Sequence, residues 1–108
     1  MKQRRPSLTA RGAAGHRAAH QLLENGSVFH DPLARAVLGA KGCAEADQRA
    51  GDPSLRPLRL VIAARRRFAE ETLAGAVARG LRQAVALGAG LETFALRNPH
   101  AAAGLPIF

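Results

Sequence analysis

The most constraining feature of the sequence is a pair of glycines, Gly88 and Gly90, between a short apolar run and a helix-forming segment. The apolar run at 84–87 favours a strand, and 91–97 favours a helix. Glycine permits the backbone angles of a tight turn and lets a ligand approach the main chain. The free N–H groups of the following helix favour an anionic or polar ligand. The pattern predicts a nucleotide-like cofactor at the carboxyl end of the first strand of an open α/β sheet.

The glycine pair alone does not specify which cofactor is bound. The fingerprint of a dinucleotide site requires a third glycine, and Thr93 stands at that position. Thr93 therefore argues against an NAD site. An ordinary strand-to-helix turn without any ligand fits the local pattern equally well.

The composition limits the size of the hydrophobic core. The chain has 108 residues, which suits one small domain. It is 47% hydrophobic, but much of that fraction is alanine and its four aromatic residues are all phenylalanine. Small side chains bury little area each, so we expect a thin core.

The formal net charge of +8 comes from 16 basic and 8 acidic residues. Such a balance is compatible with a nucleic-acid partner, an acidic protein partner or an anionic surface. The basic residues are spread along the chain, and no aromatic residues interleave with them to stack on bases. The pattern favours arginines on solvated faces and argues against nucleic acid. A small basic helical protein that binds nucleic acid or another partner is the alternative function.

The sequence offers few candidate metal ligands. Cys43 is the single cysteine, which excludes an internal disulfide and gives no cysteine-based metal site. His16 and His20 lie four residues apart, so both could face one ion, but no third ligand is close in sequence. We therefore predict no metal site.

The N-terminal region does not have the pattern of a secretory signal. Arg11, His16 and Arg17 interrupt the apolar segment that such a signal needs. No run approaches the roughly 18 apolar residues of a membrane span. We expect a soluble, cytoplasmic protein without membrane contacts.

Helix signals divide the chain into several elements. They predict a first helix that stops at Asn25-Gly26, a second from Asp31-Pro32 to Gly39, a linker from Ala40 to Pro57, a third helix from Leu58 to Ala78, and a stop at Asn98-Pro99. We divide the chain into an N-terminal helical segment with its linker, 1–57, and the start of a cofactor-binding α/β domain, 58–108.

Four segments resemble the N-terminal part of the leucine carboxyl methyltransferase family of S-adenosylmethionine-dependent enzymes, in particular its bacterial O-methyltransferase branch. They occur in the family's order over most of the chain. They are Ser7-Leu-Thr-Ala10 with Arg17-Ala18, Phe29-His-Asp-Pro-Leu-Ala34, Arg65-Arg-Arg-Phe-Ala-Glu70, and Arg82 to Arg97 around the glycines. The sequence departs from the family at Glu92, where an aspartate is usual, and Pro106 is unusual in an incipient strand.

The resemblance implies a function and several site residues. Gly88, Ala89 and Gly90 would pass close to the methionine portion and ribose of S-adenosyl-L-methionine, and Arg65 would pair with its carboxylate. A planar, permanently charged guanidinium suits that role. The methyl acceptor would be the carboxylate or hydroxyl of a small molecule, and no catalytic residue is identified.

The resemblance also implies a fold. It is the N-terminal part of a Rossmann-like class I methyltransferase fold, with helices, a first strand and the start of a second strand in an incomplete sheet. The acidic residue that holds the cofactor ribose would follow Phe108. We therefore expect a fragment of a methyltransferase that is inactive alone, is marginally stable and self-associates through an exposed sheet edge after Val85.

Overall fold

The computed structural model describes residues 8–85 and 93–108, which are mainly helical. Three long helices are followed by a single-turn helix. They are α1 (Leu8–Leu23), α2 (Ala34–Ala50), α3 (Arg56–Ala78) and α4 (Phe94–Arg97), with short 3-10 helices at Pro53–Leu55 and Ala101–Ala103. Within these two ranges, no helix combines the length and the apolar character that crossing a bilayer requires.

Helix α1 is the central element, because it packs against both α2 and α3. The buried residues on these three helices are mostly alanines, among them Ala14, Ala18, Ala19, Ala46 and Ala63. A Cβ added at Gly15 of α1 would lie only 3.5 Å from the Cβ of Ala46 of α2. The alanine-rich composition therefore gives close helix packing, but each contact buries little apolar area.

The predicted α/β fold is wrong for the described residues, which include no strand. The two expected strands meet at one parallel bridge between Ala84 and Ile107. Ala84 N donates to the Pro106 carbonyl, and Phe108 N donates to the Ala84 carbonyl. A longer ladder is prevented on one side because Pro106 has no N–H and Gly104 is left-handed, at φ 79°. Within residues 8–85 and 93–108, the predicted self-association through a sheet edge therefore has no strand to support it.

The predicted helix ends agree better with the structure. After α1, Asn25 and Gly26 adopt positive φ angles of 52° and 65°, as the predicted stop requires. Helix α3 begins two residues before the predicted start, and it ends at Ala78 as predicted. The signals that end these helices act between residues close in sequence, so they do not depend on how the rest of the chain packs.

The predicted linker is wrong in its first part, because α2 continues to Ala50. Gly39 has non-helical angles, φ 75° and ψ 176°, and produces a kink rather than an end. The residues after it are mostly good helix formers, which explains why the helix resumes. The division of the chain after residue 57 stays a prediction.

Gly39→Ala is expected to lower the free energy of unfolding by about 1–3 kcal/mol, because a side chain disfavours these backbone angles. No atom lies within 4 Å of the added Cβ, so the backbone alone accounts for the effect. Gly12→Ala is the matched control. It is also in open space, but within regular helix α1, and it should stabilise by roughly 0.5–1 kcal/mol. Urea unfolding followed by circular dichroism measures both, and equal effects of the two changes would contradict the expectation.

Candidate functional site

The three consecutive arginines of α3 have different surroundings. Arg67 Nε donates to the exposed Glu71 at 2.9 Å. Arg66 is half-buried, with NH1 at 4.0 Å from the Glu70 carboxylate. Arg65 is exposed, and no carboxylate in residues 8–85 or 93–108 pairs with it. The structure therefore distinguishes Arg65 as the arginine of this triplet that can receive an external anion.

Arg65 lines a groove of about 250 Å³ between α1 and α3. The same groove is lined by two more arginines, Arg17 and Arg66, and by the apolar Ala13, Ile62 and Ala69. Three guanidinium groups give the groove a positive potential, which attracts a carboxylate or phosphate. This is the environment in which the structure places the residue predicted to hold the cofactor carboxylate.

Glu70 connects α3 to α4 through a two-pronged ion pair with Arg97. Arg97 NH2 donates to Oε2 at 2.6 Å, and NH1 donates to Oε1 at 3.2 Å. Both side chains are 14% exposed. A bidentate pair of this kind fixes the relative orientation of its two partners.

Asp31 lies at the centre of the same network. The residue is 2% exposed, and Thr93 Oγ1 donates to its Oδ2 at 2.6 Å. Arg97 Nε lies 3.2 Å from its Oδ1 and donates to Thr93 Oγ1 at 3.0 Å. Leu33 N also donates to Oδ1, so the buried carboxylate is held by a hydroxyl, a cation and a main-chain N–H.

Two aromatic rings flank the guanidinium of Arg97. Its Cζ lies 5.3 Å from the centre of the Phe29 ring and 5.9 Å from that of the Phe94 ring. Such positions favour a cation electrostatically and shield the ion pairs from water. We call Asp31, Glu70, Thr93 and Arg97 the brace.

The brace joins three segments that the sequence resemblance singled out separately. Asp31 belongs to the segment 29–34, Glu70 ends the segment 65–70, and Thr93 and Arg97 follow the glycines. The predicted cofactor residues Gly88, Ala89 and Gly90 lie outside the described residues. The brace fixes the chain three residues beyond Gly90, and it fixes α3 five residues after Arg65.

A second buried network positions the loop that carries Phe29. His20 Nε2 accepts hydrogen bonds from Val28 N and Phe29 N, both at 3.2 Å. The ring proton therefore lies on Nδ1, which donates to the Glu24 carboxylate at 2.9 Å. Glu24 in turn accepts from Arg59 Nε and NH2 at 2.9 and 2.6 Å.

Electrostatics in this second network strongly favour the ionised carboxylate. The hydrogen bonds from Arg59 are the main reason that the pKa of Glu24 falls from an ordinary 4.5 to about 2. The hydrogen bond from His20 acts in the same direction, whereas burial opposes both. His20, Glu24 and Arg59 therefore tie α1 to α3 on the side of the loop.

Sequence reasoning missed most of these roles. Asp31 was predicted only as a helix start, and Thr93 only as a replacement for a third glycine. Glu70 and Arg97 carried no signal apart from belonging to segments of the resemblance. His16 and His20 were weighed as metal ligands, and the part of the chain that the structure describes contains no cluster of three or more metal-binding side chains.

Comparison with known proteins agrees with the resemblance. The sequence profile of the family described as Leucine carboxyl methyltransferase matches residues 10–108. A protein of Streptomyces coelicolor with the provisional name S-adenosyl-L-methionine-dependent methyltransferase is 37% identical over 94 residues. The alignment covers 82% of this chain and 33% of the relative, so the chain spans about a third of that relative's length. No solved structure matches the chain.

Proposed function

The chain belongs to the leucine carboxyl methyltransferase family, and we propose that it serves methyl transfer from S-adenosyl-L-methionine to an oxygen atom of a small molecule. The family match over residues 10–108 carries this proposal. The cofactor predicted from the sequence agrees with the name of the Streptomyces relative. The acceptor oxygen belongs to a carboxylate or a hydroxyl group.

Arg65 binds the carboxylate of the cofactor's methionine portion in this proposal. Its exposed position beside Arg17 and Arg66 supports the role, because the groove they line suits a carboxylate. Arg67 is excluded because it pairs with Glu71 and does not line the groove. Arg66 also lines the groove, but it is half-buried and lies close to Glu70 of the brace.

The brace keeps the segment after the glycines in a fixed position relative to α3. Thr93 and Arg97 are tied to Asp31 and Glu70 by short hydrogen bonds. Gly88, Ala89 and Gly90 remain the proposed contacts to the methionine portion and ribose.

When bound, S-adenosyl-L-methionine supplies an electrophilic methyl group on a sulfonium. The residues of this chain bind and orient it, and we assign no catalytic base. Much of the rate enhancement in such a reaction comes from positioning. For a protein of these 108 residues alone we expect cofactor binding without turnover, since the chain spans a third of its relative.

Replacing Arg65 by alanine is expected to weaken binding of S-adenosylhomocysteine about tenfold, because a charge-assisted hydrogen bond to the carboxylate is lost. Isothermal titration calorimetry on the purified chain measures this change. Methylthioadenosine has no carboxylate, and its affinity should be the same for both proteins.

Arg67→Ala is the matched control for this experiment. It removes the same side chain from the same helix, two residues from Arg65, but from outside the groove. S-adenosylhomocysteine should bind this variant as it binds the unchanged protein. Equal losses for the two variants, or no loss for Arg65→Ala, would refute the assigned role of Arg65.

A further inference from the structure

A cavity of about 270 Å³ lies between α1, α2 and the start of α3. It takes no part in the proposed cofactor contacts, because it opens on another side of α1. Arg11, Gly15 and Ala19 line the cavity, whereas Ala13 and Arg17 line the groove with Arg65. At 100° per residue, these two sets point in roughly opposite directions, about 180° apart.

The inner part of the cavity is apolar. Ala19 and Ala46 are buried there, and Leu38 and Leu55 complete the apolar lining. Three glycines, Gly12, Gly15 and Gly42, also line it, and their lack of side chains keeps the space open. Such a lining suits the hydrocarbon part of a ligand.

The remaining wall of the cavity is basic. Arg11 is paired with Glu45 at 2.8 Å, and Arg59 is paired with Glu24. Arg49 also lines the cavity, and no carboxylate in the described parts of the chain pairs with it. Glu45 and Glu24 compensate Arg11 and Arg59, so Arg49 leaves one positive charge in excess on this wall.

His16 lines the same cavity, so the positive charge of the wall affects its pKa. Burial lowers the pKa of His16, and the charges of Arg59 and Arg49 lower it further. Burial and the two arginine charges therefore both disfavour the protonated ring, and a bound anion would relieve the effect of the charges.

We propose that this cavity binds a small organic carboxylate, with its apolar body among Ala19, Leu38 and Leu55 and its carboxylate at Arg49. The volume exceeds that of about 150 Å³ which holds benzene, so an aromatic or short aliphatic monocarboxylate fits. The carboxylate gains a cation that pairs with no carboxylate among residues 8–85 and 93–108, and the apolar body leaves water. This site is independent of the proposed cofactor groove.

Benzoate is the probe, and NMR titration of the His16 ring is the measurement. We expect saturable binding with a dissociation constant of about 1 mM or tighter, accompanied by a rise in the pKa of His16. Benzamide, which has the same ring but no charge, should bind at least about fivefold more weakly. Inorganic phosphate, which has no apolar body, should also be weaker.

Arg49→Ala should weaken benzoate binding at least about fivefold. Because Arg49 is exposed, we expect this variant to fold like the unchanged protein. Arg79→Ala is the matched control, because Arg79 is exposed at the far end of α3 and does not line the cavity. The proposal is overturned if benzoate leaves the His16 resonances unchanged, if benzamide or phosphate binds equally well, or if both arginine variants bind benzoate like the unchanged protein.

Discussion

Replacing Asp31 by alanine is expected to lower the free energy of unfolding by about 3 kcal/mol, the largest loss expected for a single carboxylate in the brace. Asp31 is 2% exposed and accepts a 2.6 Å hydrogen bond from Thr93. Its removal breaks the hydrogen bonds that Asp31 accepts from the Thr93 hydroxyl and Leu33 N. Arg97 keeps its pair with Glu70, which places the effect at the lower end of the range for broken buried ion pairs.

Chemical unfolding of purified variants tests this expectation. Asp47→Ala is the matched control, because it breaks an aspartate–arginine pair in which the Asp47 side chain is 44% exposed. Exposed pairs of this kind contribute about 0–1 kcal/mol. If Asp31→Ala costs no more than Asp47→Ala, the brace does not stabilise the fold.

Thr93→Val provides a graded form of the same experiment if Asp31→Ala does not fold. It removes only the hydroxyl that donates to Asp31 and accepts from Arg97. A loss of about 1–2 kcal/mol is expected for this group. A double-mutant cycle with Asp31→Asn should show a coupling of about 1 kcal/mol, whereas independent residues would give additive effects.

The helices could be predicted from the sequence because their signals are local. The helix predicted from Leu58 to Ala78 agrees with α3 at its end and begins two residues later than α3 does. The strand at 84–87 could not be judged in this way, because a strand exists only through its neighbours. In the described residues, the segment around Ile107 forms a single bridge with Ala84. Gly104 and Pro106 limit the length of this pairing.

The residue pairs of the candidate site were beyond sequence reasoning. Asp31 and Thr93 are 62 residues apart, and nothing in the local pattern of either residue indicates the other. The family resemblance selected the correct segments, but it did not say which side chains meet. It named Arg65, whose role in cofactor binding stays a prediction.

The net charge led to an interpretation that the structure corrects in part. Arginines were expected on solvated faces, yet Arg59 and Arg97 have side chains only 5% and 14% exposed. Each is matched by buried or half-buried carboxylates, so their charges stabilise internal contacts. Composition counts charges without showing which of them are paired.

Glu24 gives the second large effect, as a dependence of stability on pH. Its folded pKa of about 2 lies below the ordinary value of 4.5, so the folded state favours the ionised carboxylate. The stabilisation is complete above about pH 4.5 and is lost as pH falls toward about 2, where the folded group also binds a proton. The shift corresponds to about 3 kcal/mol, and the 9% exposure of the side chain limits screening by solvent.

Glu24→Gln should therefore be about 3 kcal/mol less stable than the unchanged protein at about pH 7, and the difference should vanish near about pH 2. Urea unfolding over this pH range measures the difference, in which the titration of all other carboxylates cancels. Glu71→Gln is the control, because it disrupts an exposed pair with Arg67 in which Glu71 is 65% exposed, and its effect should stay small at every pH. If the difference in free energy of unfolding between Glu24→Gln and the unchanged protein does not change with pH, the charge of the Glu24 carboxylate is not the source of the stabilisation.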